Sequence, residues 1–132
     1  MSAPAEPWRG DPYQQGCPTR RILDRIGDRW TVLVVGALGD GTARFSELRR
    51  RVEGISQKML TQTLREMERD GLVTRTVHAE VPVRVEYALT EAGTSLRAPL
   101  KALEDWSIRH LAGVMDARER YDSHRPDAGG GA

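Results

Sequence analysis

The stretch from Ser56 to Arg69 carries side chains suited to reading a polar, anionic surface. A helix advances about 100° per residue, which puts Leu60, Leu64 and Met67 on one side of this stretch and Lys58, Thr61, Gln62, Arg65 and Arg69 on the other. The second set has the chemistry of nucleic-acid contact. A glutamine amide pairs a donor and an acceptor with the adenine edge. Lys and Arg reach guanine acceptors or phosphates, and Thr bonds a base edge or touches a thymine methyl. Ser56, Gln57 and Met59 complete the candidate surface where the helix begins. The acidic Glu66, Glu68 and Asp70 lie away from the helix start or off the middle of that face, so a helix entering a groove by its N-terminus leaves them clear.

Further candidates lie on either side. Upstream are Arg44, Ser46, Arg49, Arg50 and Arg51, and downstream are Arg75, His78 and Arg84, placed to hold phosphates beside the groove. Between Arg44 and Arg84 the cations also include Lys58, Arg65 and Arg69, against Glu47, Glu53, Glu66, Glu68, Asp70 and Glu80. The excess is modest and the whole chain carries a formal charge of only +1, which predicts salt-sensitive binding of moderate strength per subunit. On charge alone, an Arg-rich helix is more often a solvated face. Enzymatic chemistry has no support: Cys17, Ser46, Ser56, His78, His110 and His124 form no nucleophile and base pattern, and no phosphate-cradling glycine loop occurs. One cysteine rules out an internal disulfide, and with scattered histidines it argues against a dedicated metal site, so no cofactor is expected.

The elements that position these groups follow from periodicity and punctuation. At 132 residues the chain fits one domain with one core. Residues 1–16 are rich in Pro, Gly and polar groups and read as a flexible start; residues 17–115 read as the folded domain, and residues 116–132, ending in three glycines, as a flexible tail. Pro18 suits a first helical position, with Ile22, Leu23 and Ile26 at helical spacing up to Gly27. Asp28 reads as the N-cap of a second helix bearing Trp30, Leu33, Val34, Ala37 and Leu38. Phe45, Leu48 and Val52 mark a third helix from Arg44, Glu53-Gly54-Ile55 a tight turn, and Gln57 to Asp70 the fourth helix, closed by Gly71. The pattern then alternates through Val73, Arg75 and Val77, and again through Val83, Val85, Tyr87 and Leu89, as in a β-hairpin. A last helix opens at Thr90 and carries Leu96, Leu100, Leu103, Trp106 and Leu111 out to about Met115. The order helix, turn, helix, hairpin is that of a winged helix-turn-helix. The predicted fold class is therefore mainly α with a small β-hairpin, an α+β arrangement. The longest apolar stretch, Thr31 to Leu38, is too short to span a membrane, and the N-terminus lacks a secretory pattern, so a cytoplasmic location with no membrane partner is expected.

Several segments, in register, resemble the HxlR-type winged helix-turn-helix regulators. They are Cys17-Pro18, the run from Leu23 to Thr31, Arg44 to Arg49, Gly54 to Arg65, Asp70 to Val73 and Val81 to Thr90. The resemblance covers about Cys17 to Leu111. It implies a homodimer built through N- and C-terminal helices, with Ile22, Leu100, Leu103 and Trp106 at the interface, on a pseudo-palindromic operator in double-stranded DNA. Two recognition helices would then lie about 34 Å apart. A stripe such as Leu100, Leu103 and Trp106 serves equally to cover the chain's own core. In some such regulators a cysteine near the first helix responds to oxidants or electrophiles. Cys17 has that place, before Pro18 at a helix N-terminus and near Arg20 and Arg21, although single cysteines are more often inert small hydrophobes. Trp30 and Phe45 are candidates for a small-molecule effector pocket between subunits, and equally for core. A winged helix that docks on proteins without sequence-specific DNA binding is the alternative function.

Overall fold

The computed structural model describes residues 11–124. Within them the elements run α1 (Pro18–Ile26), α2 (Arg29–Ala37), β1 (Ala43–Arg44), α3 (Phe45–Arg51), α4 (Gln57–Arg69), β2 (Val73–His78), β3 (Arg84–Leu89), α5 (Glu91–Ser95) and α6 (Arg97–Ser123). The architecture is mainly helical with one small antiparallel sheet, as the pattern predicts. Of the expected flexible start, residues 1–10 lie outside the described residues. Residues 11–16 form hydrogen-bonded turns, with Gln14 N–H donating to Asp11 O and Cys17 N–H to Gln14 O.

Local chemistry explains the boundaries. Asp28 caps α2, its Oδ1 accepting from the Trp30 and Thr31 amides at 2.9 and 3.3 Å. Ser56 caps α4, its Oγ accepting from Met59 N–H at 3.0 Å. At the start of α3, Glu47 reaches back to the Arg44 amide at 2.7 Å. The turn between α3 and α4 needs a positive φ at Gly54 (91°), and the exit from α4 needs one at Gly71 (76°), conformations that glycine adopts without strain.

The core is built from one face of each helix. On α2, Thr31, Val34, Val35 and, just beyond its end, Leu38 are buried at i, i+3, i+4, i+7 spacing. The expected stripe through Trp30, Leu33 and Ala37 belongs to the adjacent face, where Leu33 is 42% exposed and Trp30 half-buried, so α2 is less enclosed than its composition suggests. Leu48, Val52, Ile55, Leu60, Leu64, Met67 and Val73 complete the core around the helix-turn-helix.

The sheet has three strands in the order β1-β3-β2, all antiparallel, with Arg75 opposite Tyr87, His78 opposite Arg84 and Arg44 opposite Glu86. The sequence predicts only the hairpin. A two-residue strand is too short to show an alternation, so β1 leaves no period to read. Thr90 ties the end of β3 to the exit of α4, its Oγ1 donating to Gly71 O at 2.6 Å and its amide to Leu72 O at 2.9 Å.

The terminal helix differs from expectation in two ways. It is split into α5 and α6 at Leu96, because Pro99 has no N–H to continue the ladder and is tolerated only in a first helical turn. It also extends to Ser123, past the expected end at Met115 and into the segment expected to be a flexible tail. Asp116 and Arg120 pair there at i,i+4 spacing, 2.6 Å apart, which supports the added turns. The described chain divides into two compact units, one up to Arg97 and one from Ala98 onward. No helix among the described residues is long and apolar enough to cross a membrane.

Candidate nucleic-acid interface

α4 turns its apolar side inward: Leu60 and Met67 are fully buried and Leu64 is 2% exposed. Gln57, Lys58, Gln62 and Arg65 are exposed on the other side and, with the half-buried Thr61, line one shallow open depression. Met59 is also exposed. Two hydroxyls in the predicted set are already engaged: Ser56 Oγ caps the helix, and Thr61 Oγ1 donates to Gln57 O at 2.8 Å. Thr61 therefore keeps acceptor capacity and a methyl group for a partner.

The flanking candidates fall into two classes. Arg44 on β1 and Ser46, Arg49 and Arg50 on α3 are exposed, as is Arg75 on β2. Among the described residues no ion pair involves Arg49, Arg50, Lys58, Arg65 or Arg75. His78 and Arg84, expected as phosphate contacts, already have carboxylate partners in the free chain. His78 Nε2 lies 2.8 Å from Glu86 Oε1, and Arg84 reaches Glu86 Oε2 at 2.8 Å and Glu80 Oε2 at 3.1 Å. The His78 hydrogen bond, opposed by desolvation and reinforced by the charge of Arg84, holds the Glu86 carboxyl below the usual carboxylate range. Cross-strand register sets these partners: it puts His78 directly opposite Arg84, with Glu86 two residues further along the same strand.

Glu66 of α4 and Asp70, its C-cap residue, share a partner that sequence reasoning missed. Arg25 of α1 donates from Nη1 to Glu66 Oε1 at 2.6 Å and from Nε to Asp70 Oδ2 at 2.9 Å. Burial pulls the Arg25 guanidinium down, but the Asp70 hydrogen bond and the nearby charges outweigh it and leave its pKa raised. The available signal was indirect: Glu66 and Asp70 stand one turn apart, and Gln62, not a cation, precedes Glu66 at i−4.

The remaining candidates lie elsewhere. Cys17 is the N-cap residue of α1, buried at 9% exposure and free of any disulfide. Ile22 is 61% exposed, Leu103 62% and Trp106 50%; Leu100, grouped with them, is only 5% exposed and so is already covered in a single chain. Leu23, Ile108 and Leu111 add to the exposed apolar set. Trp30 and Phe45 are both half-buried, and the Arg29 guanidinium lies 4.6 Å from the Trp30 ring centroid.

A helix pair joined by a tight turn, a polar second helix open to solvent, and a sheet attached at its end define a winged helix-turn-helix, a class of DNA-binding transcriptional regulator. The HxlR-like helix-turn-helix family model matches residues 25–115, and the chain belongs to that family. It is 41% identical over 110 residues to the HTH-type transcriptional regulator YtfH of Escherichia coli K12, covering 83% of this chain and 87% of the relative. The structure of the YtfH regulator from Salmonella typhimurium is similar at a TM-score of 0.78 and 43% identity, over 83% of this chain and 98% of that one. The redox regulator HypR, in its oxidised form, is similar at a TM-score of 0.65 and 42% identity, over 70% and 96% of the two chains. The two YtfH relatives are transcriptional regulators, and HypR is a redox regulator.

Proposed function

We propose that the chain binds a pseudo-palindromic operator in double-stranded DNA as a homodimer, with α4 of each copy in a major groove. The carrying observation is the division of α4, whose apolar side is sealed while Gln57, Lys58, Gln62 and Arg65 share one open surface. Arg49, Arg50 and Arg75 are the exposed cations that supply phosphate contacts, and Arg44 and Ser46 are exposed as well. The exposed Ile22 and Leu23 of α1 and, separately, the exposed Leu103, Trp106, Ile108 and Leu111 of α6 are apolar surfaces offered to the second copy, because such side chains in water favour self-association. Genomic footprinting identifies the bound sites. The double substitution Gln62→Ala, Arg65→Ala is expected to abolish binding to them while sedimentation still shows a dimer. Retained binding would shift the reading towards a protein-docking winged helix.

A redox response is the second reading, favoured by the similarity to the redox regulator HypR and by the place of Cys17 at the N-cap of α1. A peroxide would oxidise the Cys17 sulfur by two electrons to a sulfenic acid, itself being reduced to water. Operator binding by wild type is expected to change on peroxide treatment and to be restored by dithiothreitol, whereas Cys17→Ser binds equally with and without peroxide. Equal responses of the two proteins would remove the thiol from the mechanism.

A further inference from the structure

A free glutamine is an ambiguous reader of bases. With its carbonyl outward it accepts from the adenine N6 amino group and keeps an N–H for N7; with its nitrogen outward it donates to guanine O6 or N7. Gln62 is not free. Its Nε2 donates to Glu66 Oε2 at 3.4 Å, while Glu66 Oε1 accepts from Arg25 Nη1 at 2.6 Å. A carboxylate only accepts, so Glu66 holds the nitrogen end of the amide and turns the carbonyl end away. The carboxylate is itself fixed, because Arg25 grips Glu66 and Asp70 together, one turn apart on α4, from a different helix.

We infer that Arg25 is a specificity-setting positioning residue: through Glu66 it fixes the orientation of the Gln62 amide, and so selects adenine over guanine at the base pair Gln62 faces. This rests on the operator reading above. Two further consequences follow from the geometry. Arg25 neutralises the two carboxylates that would otherwise repel phosphates near the recognition helix. It also ties α1, which carries Cys17 at its start, to the residue that reads the base.

Selection from a random duplex library tests this with the full chain as wild type, Gln62→Ala, Arg25→Met, Arg25→Lys and Glu66→Gln. The position at which Gln62→Ala loses its preference is the one Gln62 reads. There, wild type is expected to favour adenine, and Arg25→Met to reduce the adenine to guanine preference at least about fivefold, the lower range for one base contact. Arg25→Lys, which keeps the charge and can still reach Glu66, is expected to recover part of it. Glu66→Gln separates orientation from folding: its amide no longer dictates which end of Gln62 it meets, so the preference falls, while loss of a negative charge leaves affinity for random duplex equal or higher. A merely structural role would lower both together. If wild type enriches no motif, the operator reading fails and the relay with it. If wild type enriches a motif that Arg25→Met and Glu66→Gln retain unchanged, the relay alone is refuted.

Discussion

Arg75 and Arg84 both belong to the hairpin and both look, in sequence, like phosphate contacts, yet the structure gives them different surroundings, which predicts different effects on the salt dependence of the proposed DNA binding. Arg75 is exposed and carries no ion pair among the described residues, whereas both terminal nitrogens of Arg84 are held by carboxylates, at 2.8 Å from Glu86 and 3.1 Å from Glu80. Each phosphate contact on B-DNA contributes about 0.9 to the slope of log affinity against log salt, so losing Arg75 from both copies of a dimer should flatten that slope by about 1.8. From 50 to 200 mM salt this means that Arg75→Ala loses roughly tenfold less affinity than wild type does. Arg84→Ala removes no phosphate contact and should leave the slope unchanged, although the exposed carboxylates lower affinity at every salt concentration. Fluorescence anisotropy of a labelled operator duplex over a salt series measures all three slopes, with thermal melts confirming that each variant folds. Equal flattening by both variants, or none by Arg75→Ala, would refute the assignment of free and committed cations.

Other predictions concern stability and assembly. The Glu86 carboxyl is held below its ordinary range in the folded chain, so its contribution is present at neutral pH and is lost as pH falls from about 5 through the folded-state value. Glu86→Gln should therefore give a flatter acid limb of melting temperature against pH; parallel limbs would remove Glu86 from the acid response. A Cβ at Gly93 would run into the Leu72 carbonyl, a backbone atom unable to yield cheaply, so Gly93→Ala should cost about 1–3 kcal/mol in urea unfolding. Leu103→Glu combined with Trp106→Glu places charge on exposed apolar positions and should shift sedimentation towards the monomer without lowering helical content; an unchanged dimer would place the interface elsewhere.

Much of this was legible because the relevant signals are local. The caps at Asp28 and Ser56, the glycines at 54 and 71 and the apolar side of α4 all act within a few residues, so spacing alone places them. The exposed reading surface follows by subtraction once Leu60, Leu64 and Met67 are assigned to the core. What was missed is non-local. The partner of Glu66 lies 41 residues away on α1, and no helical or strand period points to it. The commitment of His78 and Arg84 depends on cross-strand register, which composition does not encode. The split at Leu96 was legible in Pro99, but the apolar spacing ran across it and hid the break. Leu33 shows the complementary failure: two adjacent faces of α2 are apolar, and only packing decides which one is covered.

The junction at Gly71, Leu72, Thr90 and Gly93 bears on how a signal can travel. Thr90 is fastened to both Gly71 and Leu72, and the small residue at 93 lets the backbone come flush against Leu72, so the reading helix and its wing share one rigid hinge point. Re-aiming one against the other would break the Thr90 hydrogen bonds to Gly71 and Leu72. In the homodimer proposed above, an inducer or oxidant would then act as if moving a whole hand rather than a finger, by changing the span between the two copies of α4 and leaving the aim of each α4 against its own wing unchanged.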